Sequence, residues 1–208
     1  MYAVGHLALG YLTGKTVSKI LNVSANVPLL FFVSVLPDID LLILGLHHRG
    51  PLHSAILFSL LFFPIFILYK KRAIPYFMAL TQHILIGDFL TGWTQILWPI
   101  TTNWYGSGMK IMNLTNILIE WALFLASTAI LFKTRDVWLL FQQHSSNMIL
   151  TIPVLTVLLP ASIRFPTYVS PVLVIPHLIY IALFTFSILA DLKAIFTKTR
   201  ISQRSVRI

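Results

Sequence analysis

Apolar residues run along this chain in long blocks, each closed by a short basic cluster, a turn or a polar loop. Seven blocks stand out, at roughly 2–19, 28–46, 53–69, 74–99, 114–132, 148–163 and 169–191. Their lengths lie near the ~20 residues that a helix needs to cross the hydrocarbon core of a bilayer. The pattern predicts an all-α, polytopic transmembrane helical bundle of six to seven spans. It predicts one integral membrane domain over 1–192 and a basic cytoplasmic tail over 193–208. The first block is the weakest, because its apolar part, MYAVGHLALGYL, is short and contains glycine; it reads as a half-buried helix. The fourth is long and reads as ending in a re-entrant or interfacial piece around Trp93, Trp98 and Pro99. The stretch 136–147, DVWLLFQQHSSN, reads as an interfacial loop with an aromatic anchor.

Composition strengthens the membrane reading. Of 208 residues 57% are hydrophobic and 10% charged, against about 25% charged in a soluble domain. No low-complexity segment or internal repeat interrupts the pattern. Cysteine is absent, which excludes disulfides and thiolate metal sites. Met1 to Gly14 lacks a basic leading region, so a cleavable signal peptide is not expected. A net charge of +9 raises the question of nucleic acid, but the cations form short clusters at block ends, the pattern of anchors against anionic lipid. No base-reading motif or basic stripe is present, and no nucleic-acid partner is expected.

The clusters also orient the chain. Lys15 and Lys19, Lys70 to Arg72, Lys133 and Arg135, and the tail cations Lys193, Lys198, Arg200, Arg204 and Arg207 fall on one side of the predicted bundle. Arg49, Lys110 and Arg164 fall on the other. The positive-inside rule makes the first side cytoplasmic and puts the amino terminus outside, in a plasma or inner membrane crossed several times. Trp93, Trp98, Trp104 and Tyr105 then belong to an outer aromatic belt. With that orientation His6, Asp38, Asp40, His47, His48, Arg49, His53, His83, Asp88, Glu120 and His177 converge on the outer half. Ionisable residues at such depth are expensive and mark function.

Three stretches carry the chemistry. In PDID, Asp38 and Asp40 would point about 200° apart on a regular helix. Pro37 breaks that helix, and a broken backbone lining a cavity is tolerated at membrane depth. Both carboxylates then face one cavity; alternatively Asp38 caps a second half-helix and Asp40 acts alone. In HHRGPLHS, Gly50-Pro51 is a turn that starts a helix and aims His53 and Ser54 into the pocket. His53 is the strongest candidate metal ligand, followed by His48 and then His47. Arg49 either pairs with Asp38 or Asp40 or grips an anionic substrate oxygen. In QHILIGDFLTGW, His83 and Asp88 lie about 140° apart on an α-helix; a π-bulge would align positions i and i+5, and otherwise Asp88 orients a ligand from behind. His6 joins the candidate ligands through convergence. Glu120 is a lone acid within a block and a candidate catalytic group, or a partner for Arg49 or Lys110. His144 and His177 read as structural.

These residues describe a carboxylate-and-imidazole site for zinc or a similar divalent ion. Its metal ligands would come from His6, Asp40, His48, His53, His83 and Asp88, with Asp38, Arg49 and Glu120 as catalytic groups. The chemistry that fits is metal-assisted hydrolysis, in which water is activated, a carboxylate takes its proton and Arg49 steadies developing negative charge. The alternatives are an ion- or proton-relay transporter and a non-catalytic membrane scaffold stapled by metal.

His6, then Leu36-Pro37-Asp38-Ile39-Asp40, His48-Arg49-Gly50 with His53-Ser54, His83 with Asp88, and Leu97-Trp98-Pro99 together resemble the membrane-bound metal-dependent hydrolases. These are also called LexA-binding, inner membrane-associated hydrolases. The resemblance covers about the first hundred residues. One departure stands out: four residues separate His83 from Asp88, where the family usually has three. More distantly, the pattern is similar to zinc-dependent phospholipase C and nuclease proteins. That similarity implies a phosphoester substrate, a membrane lipid or other amphiphile, at the outer leaflet.

Overall fold

A computed structural model describes residues 1–164 and 168–205, with side chains described up to 192. Of the expected tail over 193–208, residues up to 205 continue the last helix, while 206–208 lie outside the described residues. Among those described there is no strand, only an isolated antiparallel bridge between Thr94 and Tyr105. The helices are α1 (Ala3–Ile20), α2 (Val27–Ser34), α3 (Ala55–Tyr69), α4 (Ile74–Gln82), α5 (Leu114–Lys133), α6 (Asp136–Phe141), α7 (Ser145–Ser162) and α8 (Val174–Ser205).

Among the described residues three stretches, rather than six to seven, are long and apolar enough to cross a membrane: Leu114–Lys133, Ser145–Ser162 and Pro171–Leu192. The first half departs from expectation for identifiable reasons. α1 has the length, but Lys15, Lys19 and three hydroxyl residues interrupt its second half. The block at 28–46 is helical only as far as Ser34 and becomes a 3₁₀ segment, Leu36–Leu42, around Pro37. The 15 residues of α3 cover roughly 22 Å, short of a core of about 30 Å. The fourth block leaves regular structure after Leu90 and continues as a loop packed against the turn before α3. The expected interfacial loop at 136–147 begins instead as α6, with Trp138 exposed on it.

The first helix, expected to be half-buried, is the centre of the molecule. It packs against α2, α4, α5 and α8, and nearly all of Ala3 to Tyr11 is buried. Its glycines explain the close crossing: a Cβ at Gly10 would overlap Ser34, and one at Gly14 would overlap Leu30. Small residues four apart let helix backbones approach in this way. An aromatic stack locks the other side, with Tyr11 on Phe31 at 5.4 Å and Phe31 on Phe184 at 5.0 Å between ring centroids. Each such pair contributes about 0.5–1.5 kcal/mol beyond burial.

The ends of the bundle are chemically distinct. At one end Lys15 pairs with Asp136 at 2.5 Å, and the Tyr11 hydroxyl donates to the same carboxylate at 2.8 Å. Lys133 and Arg135 close α5 beside them, and α3 runs towards this end to finish before Lys70–Arg72. At the opposite end the start of α1, the 3₁₀ segment Leu36–Leu42, the turn before α3 and the end of α4 meet.

Candidate metal centre

Six of the expected residues come together at that meeting point and are buried: His6, Asp38, Asp40, His53, His83 and Asp88. Local structure explains each. Pro37 sits in the first turn of the 3₁₀ segment, which carries both aspartates inward. Asp38 caps nothing. A short 3₁₀ turn, Pro51–His53, delivers His53, and the Ser54 hydroxyl then caps α3 by accepting from the Leu57 N–H at 3.1 Å. α4 widens into a π-helical turn over His83–Asp88, so the two residues share a face despite four intervening positions.

Of the buried imidazoles, that of His83 reveals where its proton is. His83 Nδ1 lies 2.7 Å from the Ser34 carbonyl oxygen. A carbonyl only accepts, so Nδ1 carries the hydrogen and Nε2 presents a lone pair. That lone pair faces Asp38 Oδ1 at 3.3 Å and Asp88 Oδ2 at 3.2 Å. His53 Nε2 faces the same two oxygens, at 3.5 Å and 3.1 Å. Among the described residues neither of these Nε2 atoms, nor His53 Nδ1, nor Asp88 Oδ2, has a hydrogen-bond partner. Electron-pair donors thus meet in a buried space without protons aligned between them.

Their spacing identifies what would relieve this. Bonds of about 2.0–2.1 Å from a tetrahedral zinc ion imply ligand-to-ligand edges of roughly 3.3–3.4 Å. The four N···O separations, 3.1–3.5 Å, fall in that range. His53, His83 and Asp88 form one group whose ligand atoms all lie within 4.8 Å of one another, and Asp38 Oδ1 faces both Nε2 atoms beside it. His6 stacks on His83, with centroids 3.7 Å apart, and its Nε2 lies 3.6 Å from Asp88 Oδ1. Gly87 makes room for it, since a Cβ there would overlap the His6 ring. Two overlapping ligand groups, His6–Asp38–His83 and Asp38–Asp40–His48–His53, extend the cluster to either side.

Several expectations need adjustment. Asp40 and Asp38 reach opposite edges of one ring: Asp40 Oδ2 lies 3.1 Å from His53 Nδ1, with Asp38 on the Nε2 side. Asp40 also accepts the Arg49 backbone N–H at 3.1 Å and faces His48 Nδ1 at 3.0 Å. It stands behind His53 more than beside the meeting lone pairs. Arg49 pairs with Asp88, at 3.0 Å, and not with the side chain of Asp38 or Asp40; its guanidinium also donates to the Thr91 carbonyl at 2.6 Å. Glu120 stands apart from the cluster. Its carboxylate accepts from the backbone N–H groups of Tyr2 at 2.8 Å and Gly5 at 3.1 Å and from the Asn116 amide at 2.8 Å. It holds the amino end of α1, whose dipole favours an anion there. His47 is exposed and joins no ligand group, and His144 lies in the loop before α7.

A cavity of about 340 Å³ opens beside the cluster. Asp38, His48, Arg49, Asp88 and Thr91 form its polar end, while Leu41, Ile111, Val157, Ala161 and Val169 form apolar wall. His177 lines it too; the sequence places it in the outer half with the other histidines, but it reads there as structural. Sequence reading does not single out Thr91, although its position three residues after Asp88 carries a helical-spacing signal.

The architecture is that of a helical membrane protein with a buried His/Asp cluster at one end. Residues 1–169 match the model of the YdjM inner membrane protein family, and the chain belongs to that family. The match runs through α7, well past the first hundred residues. Comparison with curated proteins and with solved structures finds no match.

Proposed function

We propose that this protein is a membrane-embedded metal-dependent hydrolase acting on a phosphoester in a lipid or other amphiphile at the outer leaflet. The observation that carries the reading is the buried group His53, His83 and Asp88, whose ligand atoms lie within 4.8 Å of one another, with Asp38 Oδ1 facing both imidazole Nε2 atoms at 3.3–3.5 Å. Two nitrogens and two oxygens without sulfur suit zinc. A divalent ion held there would supply Lewis acidity and acidify water towards neutrality.

The chain's own groups supply the rest. The Ser34 carbonyl holds the His83 imidazole from behind, and the Asp40 carboxylate lies 3.1 Å behind His53 Nδ1, the positions from which such groups orient ligating histidines. Asp38 lines the cavity, and its Oδ2 makes no ion pair or hydrogen bond among the described residues, which leaves it able to accept a proton from water. Arg49, on the cavity wall and anchored by Asp88 and Thr91, offers a fixed cation to phosphate oxygens. The apolar wall continues from this end, as an amphiphile requires. The cations at the far end of the bundle support an outer position for the site through the positive-inside rule.

Elemental analysis of detergent-purified wild type beside His53→Ala tests the centre. At least one equivalent of divalent metal is expected in wild type and little in the variant; metal-free wild type purified without chelator overturns the reading. A metal-loaded protein that releases nothing from micellar phosphomonoesters and phosphodiesters removes hydrolysis and leaves a metal-held scaffold.

A further inference from the structure

Arg49 is fixed in place by more than its ion pair with Asp88. Its backbone is left-handed, with φ +65°, a conformation uncommon for a residue other than glycine. Such a conformation persists only where the surroundings over-determine it, and residues of this kind cluster at ligand clamps. Here the peptide groups on both sides are held. The Arg49 N–H donates to Asp40 at 3.1 Å, and its carbonyl accepts from the Gln95 N–H at 3.0 Å and the Thr94 hydroxyl at 3.2 Å.

The same short segment, 91–95, holds the side chain. The guanidinium donates to the Thr91 carbonyl at 2.6 Å and to the Thr91 hydroxyl at 3.3 Å. Gly92 lies against it: at φ +151° it takes a backbone form that side chains disfavour, and a Cβ there would overlap Arg49 Nη1. The segment is itself tied down. Thr94 and Tyr105 exchange backbone hydrogen bonds at 2.9 Å, and the Gly92 carbonyl accepts from the Gly108 N–H at 3.3 Å. The Thr94 hydroxyl also reaches the His53 carbonyl at 3.4 Å, which joins the arginine to the turn that carries His53. Arg49 nevertheless keeps 14% of its side chain exposed and lines the cavity. Asp88 and Thr91 offer it three acceptor atoms, fewer than the five N–H donors of a guanidinium.

We propose that segment 91–95 is a clasp that pre-orients Arg49 as the grip for an anionic phosphate oxygen, with Gly92 and Thr94 as its positioning residues. The identity of the anion rests on the phosphoester reading. A guanidinium ordered before the ligand arrives spares the cost of ordering it on binding. Gly92 acts by leaving room for the guanidinium, and Thr94 by fixing the backbone from which the side chain springs.

Inorganic phosphate is the probe, titrated by calorimetry into the full chain in zinc-supplemented micelles. Wild type is expected to bind it, and Arg49→Lys, which keeps the charge and loses the fork, to bind about tenfold more weakly. Gly92→Ala should weaken binding to a similar extent. The double variant Gly92→Ala with Arg49→Lys should bind no more weakly than Arg49→Lys alone, because both changes act on one guanidinium. Thr94→Val should lose roughly threefold, the scale of one hydrogen bond, and Thr94→Ser, which restores the hydroxyl, should regain wild-type affinity; this pair decides the matter where Gly92→Ala does not fold. Wild-type affinity in folded Gly92→Ala or in Thr94→Val, additive losses in the double variant, a loss that follows loss of bound zinc, or no phosphate binding by wild type overturns the proposal. Hydrolysis of micellar phosphomonoesters and phosphodiesters is recorded separately: clasp-dependent phosphate binding without hydrolysis removes the hydrolase and keeps the clasp, and hydrolysis with clasp-independent binding does the reverse.

Discussion

Asp38 and Asp40 are chemically identical and two positions apart, yet they serve one imidazole from opposite edges. Asp38 meets His53 Nε2 at 3.5 Å, and Asp40 meets Nδ1 at 3.1 Å. The first is placed to bind an ion, the second to set the ring's tautomer and basicity. Asp40→Asn keeps the shape and an acceptor for the Arg49 N–H but removes the charge behind His53. Metal affinity is expected to fall about 10–100-fold, as for other lost partners of ligating histidines, with the fold retained. Competition against a fluorescent chelator measures this; an unchanged affinity would show that Asp40 does not position the ring.

Among the elements, the π-helical turn is the clearest case of structure answering a spacing problem. His83–Asp88 holds one residue more than α-helical alignment of two ligands needs, and widening the turn absorbs it. Leu85, inside the turn, is 48% exposed and so is not required by the core. Deleting Leu85 should return the turn to α-helix, align His83 with the aspartate at the fourth position after it, and preserve metal stoichiometry. A deletion variant that folds but binds no metal would refute this account of the spacing. α1 provides a second element-scale prediction. Glu120→Ala leaves the Tyr2 and Gly5 N–H groups and the Asn116 amide without their acceptor. Stability should drop by on the order of 3 kcal/mol, seen as a lower Tm in detergent, while metal content below that Tm is kept. Loss of turnover at unchanged Tm would instead make Glu120 a catalytic group.

The whole molecule separates a basic end from a metal-binding end, and this polarity predicts orientation. Cysteine is absent from the chain, so single introduced thiols report position cleanly. Leu44 is fully exposed in the turn after the 3₁₀ segment, at the cluster end; Lys71 lies between α3 and α4, at the other. In intact cells a membrane-impermeant maleimide should label Leu44→Cys, and label Lys71→Cys only after permeabilisation. The reverse pattern would turn the cavity towards the cytoplasm and overturn the outer-leaflet assignment while leaving the cluster intact.

From the sequence alone came the helical membrane class, the break at Pro37 and the acids and histidines that gather. These follow from local rules: apolar block length, the missing proline N–H, and the cost of charge at membrane depth. The span count was misread because hydropathy counts apolar residues without saying whether they face lipid or protein. α1 looked weak, yet its glycines buy a central position by letting α2 approach. Which aspartate faces which His53 nitrogen, that Arg49 answers to Asp88, and that Glu120 belongs to the end of α1 depend on contacts between residues 13 to 118 positions apart. Such partners are set by how helices dock, since a side chain's chemistry states what it can bond and only the packed bundle decides what lies within reach.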